Sequence, residues 1–154
     1  MTRTMSAIGL LLAAGILTAA AASRRDDADA LIAGRQAAFK LSGVTFGGMK
    51  ATIDAGGDVT KLAGPARALT DWAHAMPGMF PPGSDGGATK ALPTVWSDRA
   101  GFVKAATAYE AAAAKLGDLA KAGDAAGVAA QWTAVRGACG ACHDTYRQPE
   151  KPRG

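Results

Sequence analysis

A chain of 154 residues, 49% of them hydrophobic and 19% charged, falls in the range of one domain, and nothing in it reads as disordered. Much of the hydrophobic fraction is alanine, so large apolar side chains are sparse for a domain that must close its core unaided, and a bulky cofactor would fill that deficit. The formal charge of +4 comes without any stripe of Lys and Arg interleaved with aromatic residues, which argues against nucleic acid as a partner.

Residues 1–22 have the makings of a secretory signal peptide. Arg3 gives a charged start, Ala7 to Leu17 is an uncharged run, and Thr18 to Ser23 offers small residues of the Ala-x-Ala type before the charges begin at Arg24. Cleavage near Ala22 leaves a domain over 23–154 and sends it to the periplasm. The rival reading is an uncleaved anchor, but the apolar run is shorter than the roughly 20 residues of a bilayer span, so no membrane attachment is expected after cleavage. The loss of Arg3 leaves 16 basic residues against 13 acidic ones.

Helical periodicity runs through nearly all of the remaining sequence. In the first segment, 27–54, Ile32, Phe39, Phe46 and Ile53 recur every seven residues, with Arg35, Ser42 and Met49 between them. Gly43, Gly47 and Gly48 weaken this helix and permit close approach, either inside the domain or between two copies of it. The second segment, 58–76, carries Val59, Leu62, Ala66, Leu69, Ala73 and Met76 on one stripe and stops at Pro77-Gly78. Residues 77–93 are rich in proline and glycine and read as a long loop over one end, with Met79 and Phe80 tucked beneath it.

The third segment opens after Trp96, with Ser97 and Asp98 as capping candidates. Its stripe is Phe102, Ala105, Tyr109, Ala112, Leu116 and Leu119, and Gly123 ends it. The fourth runs from Asp124 to about Arg147 on Val128, Trp132, Val135, Cys139, Cys142 and Tyr146. Four such helices with two short connections and one long one predict an all-α fold, an antiparallel four-helix bundle. Both cysteines fall on its inward face. The tail from Gln148 is polar, holds two prolines and is expected to fray.

Those two cysteines are the only ones in the chain, and both belong to Cys139-Gly140-Ala141-Cys142-His143. Cysteines three apart on a helix face the same way, so two thiols can add across the vinyl groups of one haem edge while the next residue aims an imidazole at the iron. One covalent haem c, bound through Cys139 and Cys142 with His143 as metal ligand, is the leading reading. Two others compete. A disulfide or redox dithiol suits an oxidising compartment, but such dithiols sit between strand and helix rather than late in a helix. Zinc needs a fourth ligand, and His74 is the only other histidine. His74 lies off its helix's stripe and is expected at the surface; Met49 and Met76 lie on core stripes, where methionine is usually packing. Arg35, on an otherwise apolar seam, calls for an anion such as a haem propionate, unless it snorkels to the surface.

The ending Cys139-x-x-Cys142-His143-x-x-Tyr146-Arg147 resembles that of the class II cytochromes c, particularly the cytochromes c′. Arg35-Gln36-x-x-Phe39, the loop Pro82-Gly83-Ser84-x-Gly86-Gly87 and Trp96-Ser97-Asp98 are similar to the same family. The resemblance implies a four-helix bundle with the haem inside, His143 on one side of it, and a first-helix side chain on the other. It puts Phe39 at that distal position, where low-spin relatives have methionine. Phenylalanine cannot bind iron, so a five-coordinate, high-spin haem is expected, with Phe39 as a lid. Arg35 and Gln36 are expected beside the haem. Arg147, one turn beyond His143, is expected near the proximal pocket, or else as a solvated arginine favoured by the helix dipole.

These features lead to a haem protein that binds NO and CO, with an NO-scavenging and redox role. The alternative is an electron-transfer cytochrome with a sixth iron ligand. Enzymatic chemistry ranks below both, because the first helix offers no trusted distal acid or base. The family resemblance also implies a homodimer formed through the first two helices.

Overall fold

The computed structural model describes the backbone of residues 5–149 and the side chains of residues 25–149. The side chains of the expected leader, 1–22, and residues 150–154 of the tail lie outside the described residues. The helices are α1 (Met5–Asp54), α2 (Ala63–Ala75), a single turn α3 (Thr94–Ser97), α4 (Arg99–Lys121) and α5 (Ala125–Tyr146). The long ones form the four-helix bundle. α4 is its central member, packed against α2 and α5, while α1 lies mainly along α2 and touches α5 only thinly.

The apolar stripes dictate this arrangement. Every residue of the Val59 to Met76 stripe is buried, as are Ile32, Met49, Phe102, Tyr109, Leu116, Val128, Val135 and Tyr146. α1 ends at Asp54, as the sequence predicts, but continues toward the N-terminus beyond residue 27. No glycine or proline stands between Gly15 and Gly34 to stop it.

The second segment is not one helix. Asp58 caps a 3-10 turn, Val59–Leu62, by accepting from Thr60 N, and the α-helix starts only at Ala63. Pro65 accounts for the break: it has no N–H to donate to Lys61, and its ring crowds that carbonyl, so it is tolerated only in a first turn. A second 3-10 turn, Met76–Met79, ends the segment.

Asp98 caps α4, its carboxylate accepting from Gly101 N, and Asp124 caps α5 in the same way through Gly127 N. Ser97 belongs to α3 and is not a cap. Gly123, at φ +70°, makes the turn between the two helices. In the loop that follows Met79, Phe80 is buried, as expected. The loop's end is stitched to the end of α5 by Leu92 N to Tyr146 O (3.0 Å) and Gln148 N to Lys90 O (2.8 Å). The tail is therefore anchored at Gln148.

Candidate functional site

α1 is kept apart from α4 and α5 by a cavity of about 630 Å³, within the usual span of about 300–1,000 Å³ for small-molecule sites. Its far end is closed by Phe46 of α1, stacked on Trp132 of α5 with centroids 4.5 Å apart, and by the Trp132 indole N–H donating to Phe46 O at 3.2 Å.

The α5 wall carries Cys139, Cys142 and His143, one turn of helix from the loop that covers the end of the bundle. Both cysteines are half-buried, and no disulfide joins them. Burial pushes both thiols above the usual cysteine range, with Cys139 adding to the effect on Cys142. A redox dithiol needs the reverse, a stabilised thiolate. No group of three or more His, Cys, Asp or Glu side chains among the described residues is arranged to hold a metal ion by itself, so the zinc reading finds no site. His74 is 79% exposed and pairs with Glu110 at 3.1 Å, away from the cavity.

The α1 wall carries Arg35, Gln36 and Phe39. Phe39 meets Trp72 of α2 edge to face, with centroids 5.0 Å apart and planes at 89°, and leans on Phe80 at 6.3 Å. Gln36 donates to Ala88 O at 2.8 Å, across to the loop.

Arg35 does not snorkel; it is 2% exposed. Its Nη1 donates to Ser84 Oγ (2.8 Å) and Met79 O (3.2 Å), and its Nη2 to Ser84 O (2.7 Å) and Thr89 Oγ1 (2.6 Å). The guanidinium lies 4.3 Å from the Phe80 ring centroid. Burial lowers its pKa, yet an arginine remains charged. These four acceptors are all neutral, so a positive charge stands at the cavity wall with no carboxylate among its hydrogen-bond partners.

Arg147 also lines the cavity. Its guanidinium Nη1 is 3.4 Å from His143 Nδ1, and its backbone N donates to His143 O at 3.1 Å. The end of α5 is held further by Tyr146, whose hydroxyl donates to Asp98 Oδ2 at 2.8 Å. That bond ties the helix of Cys139, Cys142 and His143 to the start of α4.

The cavity therefore brings together every site residue expected from the sequence. It adds several that were missed: Lys40, Ser42 and Phe46 from α1, Trp72 from α2, Met76 from the 3-10 turn after it, Lys90 from the loop, and Phe102 and Tyr109 from α4. Burial pushes the Tyr109 hydroxyl well above its usual pKa, with Cys139 as the second cause and a Ser42 hydrogen bond opposing them. Ser42, Phe46, Met76, Phe102 and Tyr109 lie on the predicted stripes, but a stripe cannot tell contact with a neighbouring helix from contact with a cavity. The residues present fit a haem: a mostly apolar slot, two thiols and an imidazole on one helix, and basic residues without a single acid in the lining.

Comparison with known proteins agrees with this geometry. The family model described as cytochrome C′ matches residues 30–147. A cytochrome c′ from Rubrivivax gelatinosus is 39% identical over 122 residues, spanning 74% of this chain and 91% of its own length. A solved structure of a cytochrome c prime variant from Alcaligenes xylosoxidans in its nitric oxide complex superposes with a TM-score of 0.73 at 30% identity, over 80% of this chain and 97% of that one. Another variant of the same protein, with carbon monoxide bound, gives 0.72 at 30% identity, over 79% and 97%. The chain belongs to the cytochrome c′ family, whose members carry covalently bound haem c.

Proposed function

We propose that this chain is an exported haem protein that binds NO and CO, holding one haem c through Cys139 and Cys142, with His143 as the single protein ligand of a five-coordinate, high-spin iron. The observation that carries the reading is Phe39. The α1 wall meets the cavity there with a side chain that has no lone pair to offer a metal, and Trp72 and Phe80 hold it in place. When bound, the haem supplies a redox-active iron with affinity for small diatomic gases.

The chain's own residues do the rest. Phe39, Trp72, Phe80 and Phe102 make an aromatic enclosure that disfavours water at the site. Arg35 offers its uncompensated charge, and Gln36 its position, to the carboxylates of a haem edge. Arg147 sits against His143, where it influences the proximal side. The lining contains no Asp or Glu and no histidine besides His143, which favours binding over acid-base catalysis. NO and CO complexes of the Alcaligenes relative support the same ligands here; NO scavenging and electron exchange are the physiological role we propose.

One observation favours the alternative, an electron carrier with a sixth ligand: the Met76 thioether lines the cavity. Met76 is also the last member of the buried Val59 to Met76 stripe and 3% exposed, as expected of packing.

Export rests on the leader at 1–22; no helix among the described residues is long and apolar enough to cross a membrane. A homodimer through α1 is supported by Leu41 and Val44, which are 68% and 74% exposed on its outer face. A Cβ at Gly47 or Gly48 would meet nothing within 4 Å, so packing inside the protomer does not require these two glycines, whereas the open space beside Gly43 belongs to the cavity.

The lid is tested by flash photolysis or stopped flow on the reduced protein. Phe39→Ala should bind CO at least about tenfold faster, the equivalent of removing ~1.4 kcal/mol from the entry barrier. Unchanged CO and NO association rates would remove Phe39 from the path.

A further inference from the structure

Three tryptophans stand near the cavity, and their indole N–H groups differ. Trp96 donates to Pro81 O at 3.0 Å and Trp132 to Phe46 O at 3.2 Å. The Trp72 Nε1 is sealed from solvent and has no hydrogen-bond partner among the described residues. An indole N–H left in that condition costs free energy unless something offsets it.

The indole of Trp72 lines an open cavity, but its nitrogen has essentially no exposed surface, so a group placed in the cavity does not reach it. A haem carboxylate is thereby ruled out as the acceptor. What does lie against the indole is the Phe39 ring, at 5.0 Å between centroids and 89° between planes. Perpendicular packing at this distance is the arrangement in which the positive edge of one ring meets the negative face of the other, and an indole N–H is the most positive edge available.

We propose that Trp72 is the latch of the Phe39 lid: its N–H points at the π face of the phenyl ring, and this contact must break before a gas molecule enters beneath the lid. Trp72 is a positioning residue, since it touches neither gas nor iron and acts through Phe39. The placement explains why a tryptophan stands on α2 off the Leu69–Ala73–Met76 stripe, at the border with α1. It also gives the lid a fixed resting position, which a phenylalanine on a helix that touches α5 only thinly would otherwise lack. The inference rests on the reading of Phe39 as the lid.

The test is a double-mutant cycle on CO association with the reduced holoprotein, comparing the parent, Trp72→Phe, Phe39→Ala and the pair. Trp72→Phe keeps an aromatic ring and loses the N–H, so association should quicken about three- to tenfold. In the Phe39→Ala background the same change should do nothing, because there is no lid left to hold. If Phe39→Ala speeds binding and Trp72→Phe does not, the latch is wrong and the lid stands. If Trp72→Phe speeds binding equally in both backgrounds, Trp72 is a wall of the entry path and the latch is again wrong. If Phe39→Ala itself leaves the rate unchanged, the lid falls and the latch with it. Replacing the Trp72 indole by its benzothiophene analogue, which keeps the shape and removes only the N–H, should reproduce the faster rate. A parental rate in that protein would assign the effect to ring shape and overturn the N–H contact.

Discussion

Arg35 gives up its water at the cavity wall and donates four hydrogen bonds in return, to Met79, Ser84 and Thr89. Its forked guanidinium spans two separate stretches of the loop, which an ammonium on a shorter reach does not. Arg35→Lys should therefore cost about 2–4 kcal/mol in urea unfolding, with most of the loss from loop acceptors left buried and unpaired. A loss below ~0.5 kcal/mol would show that the loop stands without it. In the sequence, the anomaly of a cation on the Ile32–Phe39 seam was visible, and the need for a partner followed from it. Its loop partners were not, because they lie 44 to 54 residues away in a segment without periodicity. Phe39 was legible through the family resemblance alone. Trp72 was missed because what marks it is a buried N–H without a conventional hydrogen-bond partner, a property of packing that spacing does not reveal.

At the level of elements, helix ends follow local chemistry closely. Asp98 and Asp124 cap α4 and α5, and Gly123 turns between them, all as their residue types dictate. The second helix broke because Pro65 outweighs a perfect apolar stripe: burial patterning places a side chain inward in a 3-10 turn as well as in an α-helix. The outer face of α1 was ambiguous in sequence, since glycines there serve packing within or between protomers equally well. Open space around Gly47 and Gly48, together with exposed Leu41 and Val44 one turn apart, favours a second copy of the chain. The protein should sediment as a dimer, and Leu41→Glu with Val44→Glu should give a monomer with an unchanged haem spectrum. A parent protein that sediments as a monomer, or a double variant that still dimerises, would place the interface elsewhere or remove it.

On the scale of the whole molecule, the cavity organises the bundle. At about 24 cal/mol per Å³, a dry void of 630 Å³ would cost about 15 kcal/mol, an upper bound for a slot open to water at its rim, yet as large as the stability of a typical domain. The sparse large side chains noticed in the composition and this cavity are one fact seen twice: the chain leaves room for a flat group that its own residues do not fill. Helix count, stripes and the attachment motif were readable because each is local or periodic. The height of the slot and the closeness of its two walls were not, since they depend on how α1 is set against α5. The proposed five-coordinate iron depends on the two walls: His143 on one, and on the other Phe39, whose side chain has no donor atom. Absorption spectra of the purified protein, oxidised and reduced, before and after CO and NO, test this most directly. A high-spin spectrum in both redox states, with the reduced form shifting to a low-spin adduct on CO, is the predicted result. A low-spin spectrum indifferent to CO would contradict it and put a sixth protein ligand where the open side is claimed.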